Sequence, residues 1–471
     1  MPKPSRRRRQ WPILIVANTL PVRRAPQHSR RPWVPSPGGL VTALGPVVAE
    51  AEGAWVGWTG TAGRAPRPFI LDGITNVPVS VTADQVEGSY EGFCNRTLWP
   101  LYHHAVRQPE YHRHWWRAYV SLNERFADVA ARTAARGARV WVQDYHLQLV
   151  PALLRARRPD LRIGFFLHIP FPPSELFLHL PWRRQVLEGL LGADVIGFQT
   201  ATAATNFRRL ASALTDARRA GSALQLAGRR VRVGAFPISI DTAGYEALAR
   251  SADVQRQLAA LHASVGRGRR VLLGVDRMDY TKGIPQRLEA YGELLARGRR
   301  YARESVLIQV AVPSRERIAE YRTLRREVDA LVGRINGQFG QVGLTPITYL
   351  RRSLDRDELV AMYQLADVMV VTPLADGMNL VAKEYVASRV DGDGVLVLSQ
   401  FAGAAAGFRA ALSVNPHDVD GMADALQQGL EMPRAERRRR MRSLRGAVRR
   451  HSVQDWAAAF LRALDRGPSR G

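Results

Sequence analysis

Charged and hydrogen-bonding side chains cluster in this chain at the points where apolar runs stop. Val371 to Val386 reads VTPLADGMNLVAKEYV: an apolar run, a helix-breaking Asp376-Gly377, then a helical pattern in which Leu380, Ala382 and Tyr385 alternate with Asn379, Lys383 and Glu384. A helix that starts at such a turn aims the backbone NH groups of Met378, Asn379 and Leu380 at an anion or a hydroxyl, and the carboxylates of Asp376 and Glu384 can accept hydrogen bonds from sugar or ribose hydroxyls. Further upstream, GVDRMDYTKG carries Arg277 and Lys282 on a tight turn. A guanidinium fork and a point charge placed there can hold a diphosphate, with ion pairs to Asp276 or Asp279 as the alternative. Two earlier runs end in QDYH and HIPFPP, bringing Asp144 and His168 to strand ends, and VAVPSR ends on the cation Arg315.

Those residues need a scaffold of parallel strands, because the carboxyl edge of a parallel sheet is where such groups collect. The pattern supplies one. Apolar runs at Ile13–Ala17, Ala138–Val142, Ile163–Leu167, Val195–Phe198, Val271–Val275 and Val306–Val312 alternate with helical stretches, among them Leu40–Ala51, His114–Arg136 and Val453–Leu464. Pro37-Gly38-Gly39 before the first helix lets backbone approach a bulky ligand closely, or forms a plain tight turn. The aromatics of Tyr90 to Tyr102 form either core or a stacking platform for a sugar. Helical sequence from Thr242 to Arg269 is expected to cross between two domains, 1–250 and 251–452, with 453–471 a terminal helix and tail.

At 471 residues, 46% hydrophobic and 23% charged, the chain can build two domains with a large core. Its formal net charge of +26 suits polyanions, but the arginines are strewn over nearly every helix without one basic stripe, which argues against specific nucleic-acid recognition. Only three residues are lysine: Lys3, Lys282 and Lys383. In an arginine-biased chain the remaining lysines mark places where a compact ammonium fits and a planar guanidinium does not. The single cysteine, Cys94, excludes an intrachain disulfide and a multi-cysteine metal site, in keeping with a reducing, cytoplasmic setting. No metal-ligand spacing, Walker loop or nucleophile elbow is present, and no cofactor is implied. Arg6 to Arg9 before a short apolar run reads as a basic tail, and no run has the length of a membrane span.

An ordered set of motifs, SPGGLVTAL, QDYHLQLVP, GFFLHIPFPP, GVDRMDYTKG, RINGQFG and DGMNLVAKEYV, resembles the trehalose-phosphate synthases over Ile13 to Leu464. The resemblance implies an α/β protein of the GT-B class, two doubly wound Rossmann-like domains facing across a cleft. It also implies retaining transfer of glucose from a nucleoside-diphosphate glucose to glucose 6-phosphate, without an obligatory metal. On the donor side it places Gly39, Arg277 and Lys282 at the diphosphate, Asp376 and the backbone of Met378, Asn379, Leu380 and Val381 at sugar and phosphate, and Glu384 at the ribose. His168 falls by the donor sugar, and Asp144, Tyr90, Trp99 and Arg315 fall on the acceptor side. A homo-oligomer is compatible with it. The chain departs from the family pattern at Thr19, where arginine usually clamps the acceptor phosphate, at Ala375 for arginine, and at Gly407 for glutamate. The alternative is therefore a related 1,1-glycosyltransferase with an unphosphorylated or amino-sugar acceptor. If the clamp argument holds, Thr19→Arg tightens binding of a phosphorylated acceptor roughly tenfold or more; an unchanged or weaker Kd in calorimetry would remove it.

Overall fold

Short runs rich in Val, Ile, Leu and Phe, apolar on both faces, become the buried strands of two separate sheets. The computed structural model describes residues 10–25, 32–36, 39–266 and 268–466, so Arg31, Pro37 and Gly38 lie outside it. The chain divides into a first unit, Met1–Ile238 with Gln454–Gly471, and a second, Ser239–Val453.

The first unit contains β1 (Trp11–Thr19), β2 (Val22–Arg24), β3 (Trp33–Pro35), β4 (Ala54–Trp58), β5 (Phe69–Leu71), β6 (Ile74–Val79), β7 (Ala134–Gln143), β8 (Arg162–Phe166), β9 (Val195–Phe198), β10 (Arg218–Ala220), β11 (Ala223–Leu226) and β12 (Arg229–Ala235). Ten of them form one sheet in the order β10-β11-β12-β9-β8-β7-β1-β4-β6-β5, while β2 and β3 pair as a separate hairpin. From β12 to β6 every neighbouring pair is parallel. The chain winds outward from β1 through β4 and β6, then returns to build β7, β8 and β9 on the other side. The topological switch therefore lies between β1 and β7, at the ends that carry Asn18-Thr19 and Gln143-Asp144.

The second unit is wholly parallel: β13 (Arg270–Arg277), β14 (Ser305–Val312), β15 (Ile347–Leu350), β16 (Val368–Val371), β17 (Val395–Ser399) and β18 (Leu412–Val414), ordered β15-β14-β13-β16-β17-β18. Its switch falls between β13 and β16, whose exits are the DRMDYTKG and PLADGMN segments. No helix among the described residues is long and apolar enough to cross a membrane.

Three elements differ from the sequence expectation. The helices Thr242–Ala249 and Ala252–Val265, read as a crossing between domains, belong to the second unit, where Gln364 donates to the Ala249 carbonyl and Arg445 reaches Glu246 at 2.7 Å. Val86–Leu98 is a thirteen-residue π-helix running into the short helix Trp99–Tyr102, an element invisible to a search for 3.6-residue periodicity. Gly92 is required in it, because a Cβ would lie 2.6 Å from the Trp115 ring. The terminal helix Val453–Asp465 packs, from Gln454 on, in the first unit: Phe460 stacks on Trp141 at 4.2 Å, and the Trp456 Nε1–H donates to the Phe236 carbonyl.

One charged side chain organises the second sheet. Arg287, on the helix Ile284–Arg297, is fully buried. It donates to Asp276 at 2.6 Å, to the Gln309 side chain at 3.0 Å and to the Thr372 hydroxyl at 3.1 Å, and its second Nη lies 3.5 Å from the Lys282 carbonyl. Three adjacent strands, β14 through Gln309, β13 through Asp276 and β16 through the following Thr372, are thereby bound to one guanidinium. Gly274 makes room for it, since a Cβ there would collide with both Arg287 and Gln309. Replacing Arg287 with Met strands the Asp276 carboxylate in the interior and is expected to cost ~3 to 5 kcal/mol. Arg287→Met with Asp276→Leu should recover much of that loss. Denaturant midpoints of the two variants check the expectation, and equal midpoints would rule out an energetic role for the pair.

Candidate active site

The second unit brings two predicted residues into contact across the switch point. The Lys282 Nζ donates to Asp376 Oδ2 at 2.6 Å, and the Asn379 side-chain amide donates to the same oxygen at 3.1 Å. Lys282 ends a short 3-10 turn, Tyr280–Lys282, and is followed by Gly283 at φ 64°, where the backbone closes on the Thr372 carbonyl and leaves no space for a Cβ. Asn379 caps the helix Leu380–Ser388 by accepting from the Ala382 NH, and does so at φ 73°. Gly403 lets the following loop touch the Gly377 carbonyl, fixing the turn from behind. Met378 is buried, whereas Asn379, Leu380 and Val381 stay partly exposed at the helix start.

Around this pair lies a second group that centres on Asp279. Its carboxylate is fully buried; Oδ1 accepts from the backbone NH and the hydroxyl of Thr281, and Oδ2 has the Arg315 guanidinium and the Tyr321 hydroxyl at 3.4 Å and Arg277 at 4.0 Å. Burial by itself would raise the Asp279 pKa, but Arg315, Arg277 and Lys282 together hold it down at about 2. Arg315 also donates to the Tyr321 hydroxyl at 2.5 Å, from a backbone at φ 51°. Further along the helix, Glu384 accepts from the Tyr363 hydroxyl at 2.9 Å and its pKa is raised by burial; burial pushes the neighbouring Lys383 down to about 8.

In the first unit, β7 and β8 deliver Asp144 and His168 side by side. Asp144 donates its NH to the Phe166 carbonyl, accepts the His168 NH at 3.1 Å, and holds φ 69°, a conformation that costs free energy in a non-glycine residue. The His168 Nε2 lies 3.0 Å from Oε1 of Gln143, a side chain with no exposed surface. The Gln143 amide and the ring share this one hydrogen bond, which fixes a single tautomer of His168. Burial takes the His168 pKa down to about 3. Tyr90, on the π-helix, stacks on His146 and meets Trp58 edge-on, while Trp99 is 4% exposed and packed between His103 and Tyr145. Of the aromatic stretch, then, Trp99 is core and Tyr90 keeps an open face. Gly39 is the first residue of the helix Gly39–Glu50. Thr19 is exposed at the end of β1, Ala375 is buried, and Gly407 follows a short 3-10 turn with room for a side chain. Among the described residues no group of three or more His, Cys, Asp and Glu side chains could hold a metal ion.

Sequence reading missed Asp279, Gln143 and Tyr321. Asp279 stands between Arg277 and Lys282 in the motif and was weighed only as a competing ion-pair partner; Gln143 precedes Asp144 but looks like a neutral strand residue. Neither carries a signal of its own, because each acts through a neighbour supplied by another strand.

Two doubly wound parallel units, one with cations and carboxylates at its switch point and the other with a carboxylate and a neutral imidazole, define a glycosyltransferase of the GT-B class. The family model for glycosyltransferase family 20 matches residues 12–466, and the chain belongs to that family. A trehalose-6-phosphate synthase of Mycobacterium avium is 52% identical over 98% of this chain and 96% of its own length. A UDP-forming trehalose-phosphate synthase from Burkholderia xenovorans, solved in complex with glucose-6-phosphate, is 35% identical with a TM-score of 0.88 over 96% of this chain and 99% of that one. The E. coli structure bound with UDP-2-fluoro glucose is 34% identical with a TM-score of 0.89 over 96% and 99%.

The His168 environment predicts a neutral ring held in one tautomer throughout pH 5 to 8. Nitrogen-15 NMR of histidine-labelled protein should show one fixed tautomer and no titration in that window. Gln143→Glu, which places a carboxylate against the ring, should raise the His168 pKa; a wild-type His168 that titrates near 6.5 would contradict the assignment.

Proposed function

We propose that this glycosyltransferase passes glucose from a nucleoside-diphosphate glucose to glucose 6-phosphate, with retention at the anomeric carbon, and releases trehalose 6-phosphate. The observation that carries the reading is the Lys282–Asp376 contact at 2.6 Å. A nucleotide sugar needs both groups at once, the ammonium for its diphosphate and the carboxylate for its sugar hydroxyls. Without a ligand they neutralise each other; with one, each exchanges its partner for a substrate group, so neither is left as an uncompensated buried charge. The relatives solved with glucose-6-phosphate and with UDP-2-fluoro glucose support the same pair of substrates.

In this reading Arg277 and Lys282 face the diphosphate, the backbone from Met378 to Val381 supplies helix-start NH groups, and Gly39 is the first unit's residue for the donor. Asp376 holds the donor sugar and Glu384 the ribose. On the acceptor side the second unit offers Arg315, and the first unit offers Tyr90, with Trp99 packed against His103 and Tyr145. Asp144 orients the acceptor. As the bond from the anomeric carbon to the phosphate oxygen breaks, its electron pair stays with the diphosphate, where the two cations offset the growing charge. The acceptor hydroxyl adds from the same face and its proton passes to the departing phosphate oxygen. His168, with a pKa near 3, is a hydrogen-bonding group and not a proton acceptor in this scheme. Phosphorylated substrates on both sides fit a cytoplasmic setting.

Purified protein given UDP-glucose and glucose 6-phosphate should form an α,α-1,1-linked product identifiable by proton and phosphorus NMR. Lys282→Ala should lower kcat about 100- to 1,000-fold. Product from glucose but none from glucose 6-phosphate would replace the acceptor in this reading, and donor binding without any product would overturn it.

A further inference from the structure

The second unit has a cavity of about 280 Å³ that the proposed chemistry does not use. Its lining comes from the exits of β13 and β14, the helix Ala319–Phe339 and the segment after β15. Met278, Pro313 and the ring of Tyr321 make an apolar floor, and Arg322, Arg325 and Arg351 line it with three guanidinium groups against one carboxylate, Glu316. These cations are weakly committed. Arg351 lies 3.3 Å from Glu316, with both side chains solvated, and Arg325 lies 3.6 Å from Asp329 one helical turn on. Arg322 donates to the Arg317 carbonyl and has no carboxylate partner among the described residues. Exposed pairs of this kind contribute little, so an incoming anion displaces them easily.

We propose that this cavity binds a small phosphorylated dianion and that its occupancy weakens acceptor binding. Three forked guanidiniums above an apolar floor suit a tetrahedral phosphoryl group with a short carbon body, at a volume near the lower end of small-molecule sites. The site is separate from Arg315: the flanking residues Ser314 and Glu316 line the cavity, whereas the Arg315 guanidinium is turned to Asp279 and the Tyr321 hydroxyl. Tyr321 belongs to both. Its ring closes the cavity and its hydroxyl accepts from Arg315. A dianion against that ring adds negative charge beside Arg315, which lowers the local attraction for a second phosphate. The effect on acceptor binding rests on the reading of Arg315 as an acceptor-side residue; the binding itself does not.

Inorganic phosphate is the probe, with sodium chloride at matched ionic strength as the control for a chain of this charge. Phosphorus NMR or calorimetry should show saturable binding to the wild-type protein and to Lys282→Ala. Binding should be at least tenfold weaker in Arg322→Glu/Arg325→Glu and in the milder Arg322→Gln/Arg325→Gln, and unchanged in Arg326→Glu, an exposed arginine of the same helix outside the cavity. In turnover assays phosphate should raise the acceptor KM of wild type and not of the double variants, whose KM and kcat without phosphate stay at wild-type values. Phosphate binding that survives in both double variants, or that Arg326→Glu weakens equally, overturns the site. Binding lost as expected with an acceptor KM indifferent to phosphate overturns the coupling, and absence of turnover with intact binding counts against the proposed function instead.

Discussion

A single buried guanidinium holds the second unit's chemistry in place. Arg287 has no exposed surface and donates to Asp276, Gln309 and Thr372, side chains supplied by three adjacent strands, while approaching the carbonyl of Lys282. Desolvation of Asp276 works against its charge, and Arg287 is the principal group that opposes it. An ion pair of this type adds little net stability over an apolar pair, but it is rigid and directional. What it gives here is geometry: the strand exits at the switch point cannot shift without breaking several charge-assisted hydrogen bonds together.

On that frame a second layer manages charge in the absence of substrate. Three cations, Arg277, Lys282 and Arg315, would repel one another if assembled alone. Asp279, held ionised by them, and Asp376, in direct contact with Lys282, offset that repulsion. Asp279 has no exposed surface, whereas Asp376 stays partly exposed just before the helix Leu380–Ser388. The two carboxylates therefore differ in setting, one a fully enclosed counter-ion and the other partly open to solvent. Lysine at position 282, in a chain that otherwise uses arginine, places a compact ammonium on one carboxylate oxygen at 2.6 Å.

Backbone strain falls on the same positions. Asp144, Arg315 and Asn379 each take a positive φ, a conformation that their side chains disfavour; Asp144 and Arg315 are held there by hydrogen bonds to groups from another segment, Asn379 by local bonds to Asp376 and Ala382. A fold that accepts this cost at three positions in the segments that follow its buried strands gains fixed orientation of the polar groups there.

The amino-acid sequence determined the alternation of strand and helix, the parallel sheets and the identity of most polar groups at the strand exits, because these depend on local periodicity and on the punctuation by Gly, Pro and Asp. Arg277, Lys282, Asp376, Asp144 and His168 were all legible that way. Tertiary structure alone decided which of them touch. Asp279 as the shared counter-ion and Gln143 as the hydrogen-bond partner of His168 depend on pairing between different strands, and Tyr321 as the link from Arg315 to a neighbouring cavity depends on how the helix Ala319–Phe339 folds back on the end of β14. The π-helix at Val86–Leu98 and the return of the terminal helix to the first unit were hidden for a related reason. Both are set by packing, Gly92 against Trp115 and Phe460 against Trp141, and no window along the sequence contains both partners of either contact with the spacing of a regular element.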